Sequence, residues 1–155
     1  MTWIKPSFLW LMQRSNWASK SGQERILAVR ISRQGWEQAL RLGSLTSFTP
    51  AVHAHVDAWR TEFSQSQVHV QWDPERSLRG KKLEHRSLQV GISRHLIRNY
   101  VEHWIQEITD YTSRVKKIRQ LCLQGDYSRA NRLLPPERGY ELPDDLAQRL
   151  AMTTP

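Results

Sequence analysis

Residues 86–108 read R-S-L-Q-V-G-I-S-R-H-L-I-R-N-Y-V-E-H-W-I-Q-E-I, and the periodicity changes inside this stretch. Over Arg86–Ile92, Leu88, Val90 and Ile92 alternate with Ser87, Gln89 and Gly91, a period of two that predicts a half-buried strand. From Ser93 the apolar positions become Leu96, Ile97, Tyr100, Val101, Trp104, Ile105 and Ile108, which follow a period of 3.6 and predict a helix. A strand feeding a helix predicts an α+β chain. The expected architecture is a small mixed sheet with interspersed helices, followed by an all-helical C-terminal part.

The pattern extends in both directions. Toward the N-terminus, Arg25–Ser32 alternates Leu27, Val29 and Ile31 with Ile26, Ala28, Arg30 and Ser32 and predicts a second strand. Val68–Trp72 predicts a third, ended by Asp73-Pro74 and followed by a basic loop over Ser77–Leu83. Thr2–Lys5 reads as extended, with Pro6 opening a helix that carries Phe8, Leu9, Leu11 and Met12. Helices are also predicted over Gln34–Leu42, stopped by Gly43, and from Thr49-Pro50, where Val52, Val56, Trp59 and Phe63 share a face. Toward the C-terminus, helices are predicted over Thr112–Leu123 and after the cap residue Asp126, with a short helix or tail over 143–155. The whole chain, 1–155, reads as a single domain, in keeping with its length.

Charge is unevenly distributed. The formal net charge is +8, and all of the excess lies in residues 1–100, which hold 15 Lys/Arg against 7 Asp/Glu. Arginine predominates and seven tryptophans accompany it, a composition suited to phosphates and flat rings. The one cysteine, Cys122, excludes an internal disulfide framework and sits in an apolar helical pattern as a small hydrophobe. The longest apolar run, Phe8–Met12, is far short of the roughly 20 residues that span a bilayer. These features predict a cytoplasmic protein without membrane contact.

Four groups of residues carry chemistry. Lys5, Ser7, Trp10 and Arg14 surround the predicted helix start, where free N–H groups and the helix dipole attract an anion; Arg86 adds a further cation. His85, Ser87 and Gln89 share one face of a strand, and Asp73 and Glu75 are carboxylates two residues apart. His85, Gln89, Asp73 and Glu75 are the candidate acid–base or catalytic residues. Arg76, Arg79, Lys81 and Lys82 make a basic segment able to bind nucleic acid. His53, His55 and Asp57 have the look of metal ligands, but on a helix only His53 and Asp57 share a face, so no metal site is predicted.

The string W-I-K-P-S-F-L-W at Trp3–Trp10, with Q-E-R-I-L-A-V-R-I-S at Gln23–Ser32, P-A-V-H from Pro50, V-Q-W-D-P-E-R at Val70–Arg76, H-R-S-L-Q-V-G at His85–Gly91 and the segment Arg129–Tyr140, resembles a bacterial and fungal family. It is the domain of unknown function family numbered 4291, and the likeness covers residues 1–142. The resemblance implies a family without implying an activity. It also implies a further segment ahead of W-I-K-P-S-F, with a Tyr-Gln-Ala signature. Without such a segment, an open sheet edge beside Trp3 and Ile4 is expected to favour self-association.

Two functional readings follow. The first is a small enzyme, a transferase or hydrolase acting on a nucleotide or other phosphate-bearing molecule, with a nicotinamide dinucleotide as its more specific form. No cofactor is fixed by the residues. It needs Lys5, Arg14, Arg86 and Gln89 to converge on one pocket. The second is a non-enzymatic binder of nucleic acid or another polyanion through the basic loop 76–86.

Overall fold

A computed structural model describes residues 1–152. The chain runs β1 (Thr2–Ile4), α1 (Phe8–Ser15), β2 (Leu27–Ile31), α2 (Arg33–Arg41), β3 (Gly43–Leu45), α3 (Val56–Gln65), β4 (Val68–Arg76) and β5 (Lys82–Ile92). It continues with α4 (Ile97–Asn99), one π-helical turn (Tyr100–Trp104), β6 (Ile105–Asp110), α5 (Thr112–Leu123), α6 (Tyr127–Arg132) and α7 (Asp144–Arg149). The architecture is α+β. A four-stranded mixed sheet has the order β1-β5-β4-β3, and β2 and β6 form a separate two-stranded ribbon.

The main sheet is two-faced. In the β4–β5 pairing Val68 faces Ile92 and Val70 faces Val90. All four side chains are buried, against Ala39 and Leu40 of α2, Tyr100 and Trp104 of the π turn, and Leu146 and Leu150 at the C-terminal end. Burial of each large aliphatic side chain contributes roughly 1.5–3 kcal/mol. The C-terminal segment is therefore part of the core: Trp72 donates its indole N–H to Leu150 O at 2.7 Å, and Arg41 pairs with Asp145. Residues 153–155 of the predicted tail lie outside the described residues. A second core joins Phe8 and Met12 of α1 to Ile26, to Val115, Ile118 and Leu121 of α5, and to Ala130 of α6. Cys122 packs at the margin of that second core.

Several sequence expectations need correction. The helix predicted through Ile108 ends at Trp104, and the C-terminal part is all-helical only from Thr112. The Ile105 N–H reaches back to Tyr100 O in the π turn, and Ile105 then takes extended dihedrals. Ser32 N–H donates to Trp104 O, and β6 pairs with β2 over Leu27–Asp110 to Ile31–Ile105. Long-range pairing by a β-branched stretch has overridden a helical pattern. Asp73-Pro74 does not end its strand: β4 continues to Arg76, with a register shift between Pro74 and Arg76. Such an irregularity is where a sheet accepts proline. The stop at Gly43 opens β3, which pairs in parallel with β4. Pro6 lies outside α1, which Ser7 caps by accepting from Trp10 N–H. The helix predicted from Thr49 begins only at Val56; His53 accepts from Thr49 N–H in the preceding turn, and His55 caps α3 by accepting from Ala58 N–H.

Gly35 shows how tightly α2 packs on the π turn. A Cβ at this position would lie 2.4 Å from Cγ of Trp104. Gly35→Ala is predicted to displace the indole and lower stability by about 1–3 kcal/mol. Leu146→Ala, at a side chain 1% exposed, is predicted to cost about 2–5 kcal/mol. Urea unfolding of the two variants beside the parent protein tests both. A shift below 0.5 kcal/mol for Leu146→Ala would show that α7 is not part of the core.

Candidate functional site

The site grows from the junction of β1 and α1 with the far end of β4. Alternation along β4 and β5 places Gln71, Asp73, Ser87 and Gln89 on the sheet face opposite the apolar core, in two directly paired rows, Gln71–Gln89 and Asp73–Ser87. Glu75, two residues further along β4, is buried as Asp73 is. Lys5, at the end of β1, projects into this region with its side chain 4% exposed. Its ammonium donates to Asp73 Oδ2 at 3.3 Å and to Ser87 O at 3.0 Å, and lies 4.5 Å from the centre of the Trp10 ring.

The start of α1 holds two internal carboxylates. Ser7 Oγ donates to Glu75 Oε1 at 2.6 Å, and Phe8 N–H donates to Glu137 Oε1 at 2.7 Å. Arg76 N–H also donates to Glu75 Oε1, at 2.7 Å. The attraction of a helix start for anions is thus expressed, with carboxylates of the chain itself as the anions. Lys5 and Ser7 face Asp73 and Glu75. The buried Ser87 hydroxyl stands beside Glu75 without hydrogen-bond geometry to a partner.

These neighbours separate the two glutamates. Burial pushes the Glu75 carboxyl up, but hydrogen bonds from Ser7 and Arg76 N–H, with the Lys5 charge, outweigh it and hold Glu75 below its ordinary value. Desolvation at the helix start, reinforced by the negative charge of Glu75, raises Glu137 against the opposing pull of Phe8 N–H and Lys5. Burial lowers Lys5, and its three acidic neighbours only partly restore it.

On the outer side of α1 the electrostatics reverse. A cavity of about 400 Å³ is lined by Trp10, Gln13, Arg14, Asn16, Lys20 and Arg76: three cations, two amides and a ring, with no carboxylate. Its wall beyond α1 is strained. Asn16, Trp17 and Ala18 have φ of 47°, 56° and 60°, three successive left-handed residues without a glycine. The turn is held by Trp17 N–H to Met12 O and Lys20 N–H to Ser15 O, and by burial of Ala18. Arg76 enters from β4; one Nη donates to Gly80 O at 3.3 Å, and its buried Nε–H has no partner among the described residues.

The sequence-predicted residues therefore divide. Trp10 and Arg14 share the cavity, whereas Lys5 and Ser7 meet the carboxylates behind it. Arg86 does not join them: it pairs with Pro74 on the other face of β5 and is exposed. His85 is exposed on β5, and Gln89 is half-buried beside Gln71. Arg76 belongs to the cavity rather than to the basic loop. Arg79, Lys81 and Lys82 lie on the exposed hairpin, where the Arg79 guanidinium stacks 4.3 Å above Tyr127. Sequence reasoning missed Glu137, Gln71, Gln13, Asn16 and Lys20. Glu137 follows Pro135-Pro136 in a segment without periodicity; the only signal for it was its place in the family-like stretch Arg129–Tyr140.

The chain is an α+β domain in which the polar face of a mixed four-stranded sheet meets a capped helix start and three cations line a concavity on the outer side of that helix. The family model described as "Domain of unknown function (DUF4291)" matches residues 1–140, and the chain belongs to that family. No curated protein and no solved structure matches it.

The glutamates make opposite contributions to acid stability. Glu75 is lowered in the folded state, so its stabilisation is present above the ordinary carboxylate range and is lost as pH falls through its folded value. Glu137 is raised, so its protonation stabilises the fold as pH falls from its folded value toward the ordinary range. Glu75→Gln is predicted to cost about 1–3 kcal/mol at pH 7 and to flatten the acid-side loss. Glu137→Gln is predicted to remove the mild-acid gain. Urea midpoints between pH 7 and 3 check both, and parallel profiles for the parent and both variants would contradict the assignment.

Proposed function

We propose that this protein binds a phosphate-bearing small molecule in the cavity of Trp10, Arg14, Lys20 and Arg76 and acts on it as a transferase or hydrolase. The observation that carries the reading is the lining itself, three cations around an open concavity of about 400 Å³ without a carboxylate among them. Two guanidinium forks and an ammonium suit the oxygens of a phosphate. The partnerless buried Nε–H of Arg76 supports the same reading. So does the left-handed run at Asn16–Ala18, because local strain persists where the surrounding structure over-determines it and clusters at ligand sites. The volume suits a small molecule of mononucleotide size.

The enzymatic part of the proposal rests on two glutamates that stand behind α1 and do not line the cavity; Glu75 adjoins it through the backbone of Arg76. Glu75 bonds to the backbone of Arg76, a cavity residue, and stays ionised; Glu137 is shifted the other way. Carboxyls whose environments separate their proton affinities are suited to acid and base roles. The exposed hairpin cations and the Arg79–Tyr127 stack favour a second reading, a nucleic-acid surface. Its mark is a steep fall of oligonucleotide affinity with salt, one released counterion for each phosphate neutralised.

Isothermal titration with pyrophosphate tests the cavity. Arg14→Ala and Arg76→Ala are each predicted to weaken binding about tenfold or more, as expected for loss of a charge-assisted hydrogen bond. Arg86→Ala, on the opposite face, is predicted to leave it within about twofold. Equal affinity in all three variants, or no binding to the parent protein, would overturn the reading.

A further inference from the structure

The polar face of the main sheet meets helices at its two ends and carries a pair of half-buried glutamines between them. Three directly paired positions, Trp3, Gly91 and His69, make a row across β1, β5 and β4, and the Gln89–Gln71 pair makes the next. Two helices engage this face at its ends. Phe63 of α3 stacks on the His69 ring, with centroids 4.1 Å apart and planes 22° apart. At the other end, Lys5 and Ser7 at the start of α1 bind Asp73 and Glu75. The two glutamines lie between these anchors and are half-buried.

Each element of this middle ground has unspent binding capacity. Gln71 Nε2 donates to Asp73 Oδ1 at 3.0 Å, which leaves its carbonyl oxygen available. No hydrogen bond among the described residues engages the Gln89 amide. Trp3 is 46% exposed, and its indole lies over Gly91 so closely that a Cβ there would be 3.1 Å from the ring. Met1 Sδ lies equally close to that position, so the indole and the thioether together cover Gly91. Desolvation lowers the His69 imidazole from its ordinary value, so the adjacent wall is uncharged at neutral pH.

We propose that this sheet face, with Gln71 and Gln89 as its floor and Trp3 and the Phe63–His69 stack as its walls, binds the flat heterocycle of a nucleotide whose phosphate occupies the Arg14–Lys20–Arg76 cavity. The proposal rests on the phosphate reading above and names the ligand class. Two neighbouring primary amides offer donors and acceptors to the edge of a base, and an exposed indole offers a stacking surface. The two subsites share a wall: Trp10 lines the cavity and packs on Lys5, which in turn bonds in the Asp73–Ser87 row next to the glutamines. A sugar phosphate would fill only the cavity.

The test compares the four common ribonucleoside 5′-monophosphates with ribose 5-phosphate by isothermal titration. At least one nucleotide is predicted to bind about tenfold or more tightly than ribose 5-phosphate, the contribution of stacking and base-edge bonds. Gln71→Ala/Gln89→Ala is predicted to abolish that preference and leave ribose 5-phosphate affinity within about twofold. Gln89→Glu, which keeps the side-chain size, is predicted to shift the preference among bases, and it serves as the readout if the double variant does not fold by circular dichroism. Equal binding of nucleotides and ribose 5-phosphate, or a base preference unchanged in the glutamine variants, overturns the heterocycle subsite and leaves the cavity standing. Failure of every phosphate ester to bind overturns the cavity reading and this proposal with it.

Discussion

The start of helix α1 is the constraint on which the arrangement depends. A helix start presents backbone N–H groups that need acceptors. Here a serine cap meets one of them, and two carboxylates from distant parts of the chain close the rest of the junction. Glu75 arrives from the long strand β4 and binds the cap hydroxyl, and Glu137 arrives from the segment after α6 and binds Phe8 N–H. Beside them Lys5 pairs with Asp73 under the Trp10 ring. One junction thus fixes α1 against the sheet and draws the C-terminal segment over it. That segment continues to Leu146 and Leu150 in the main core. Charge neutralisation, hydrophobic burial and chain path reinforce one another.

This arrangement also sorts the charge. The acidic residues of the junction are used internally by Lys5, Ser7 and backbone N–H groups. The cations of the outer side, Arg14, Lys20 and Arg76, are left facing a cavity of their own. Three of the 15 Lys/Arg of residues 1–100 thus gather at one concavity. That contrast is what connects the fold to the proposed phosphate-bearing ligand, since family membership supplies no activity.

The parts of the fold that could be read from sequence are those fixed by local periodicity. The strands around Val29, Val70 and Val90 each alternate, and each is present. The polar face of Ser87 and Gln89 follows from the same alternation. What could not be read depends on partners far along the chain. Ile105–Asp110 continues a helical spacing but pairs with β2, and nothing local to it reveals that β2 lacks a partner. Pro74 signals a stop, yet β4 runs through it to Arg76 and carries Glu75 to the junction. The anion preference of the α1 start was legible. Its occupant was not, because Glu137 lies 129 residues away from Phe8 in a stretch without pattern. Lys5 and Arg14 likewise lie near one helix in sequence, but Lys5 pairs with Asp73 whereas Arg14 lines the outer cavity.

The cationic concavity on the outer side of α1 is proposed to hold a phosphate-bearing ligand. The most direct measurement is a crystal structure of the full chain soaked with tungstate, a heavy tetrahedral oxyanion whose anomalous signal locates it without ambiguity. The account predicts an anomalous peak between the Arg14 and Arg76 guanidinium groups, with Lys20 beside it and Glu137 still bonded to Phe8 N–H. A peak at the start of α1 with Glu137 displaced, or on the exposed hairpin of Arg79 and Lys81 with the cavity empty, would contradict it.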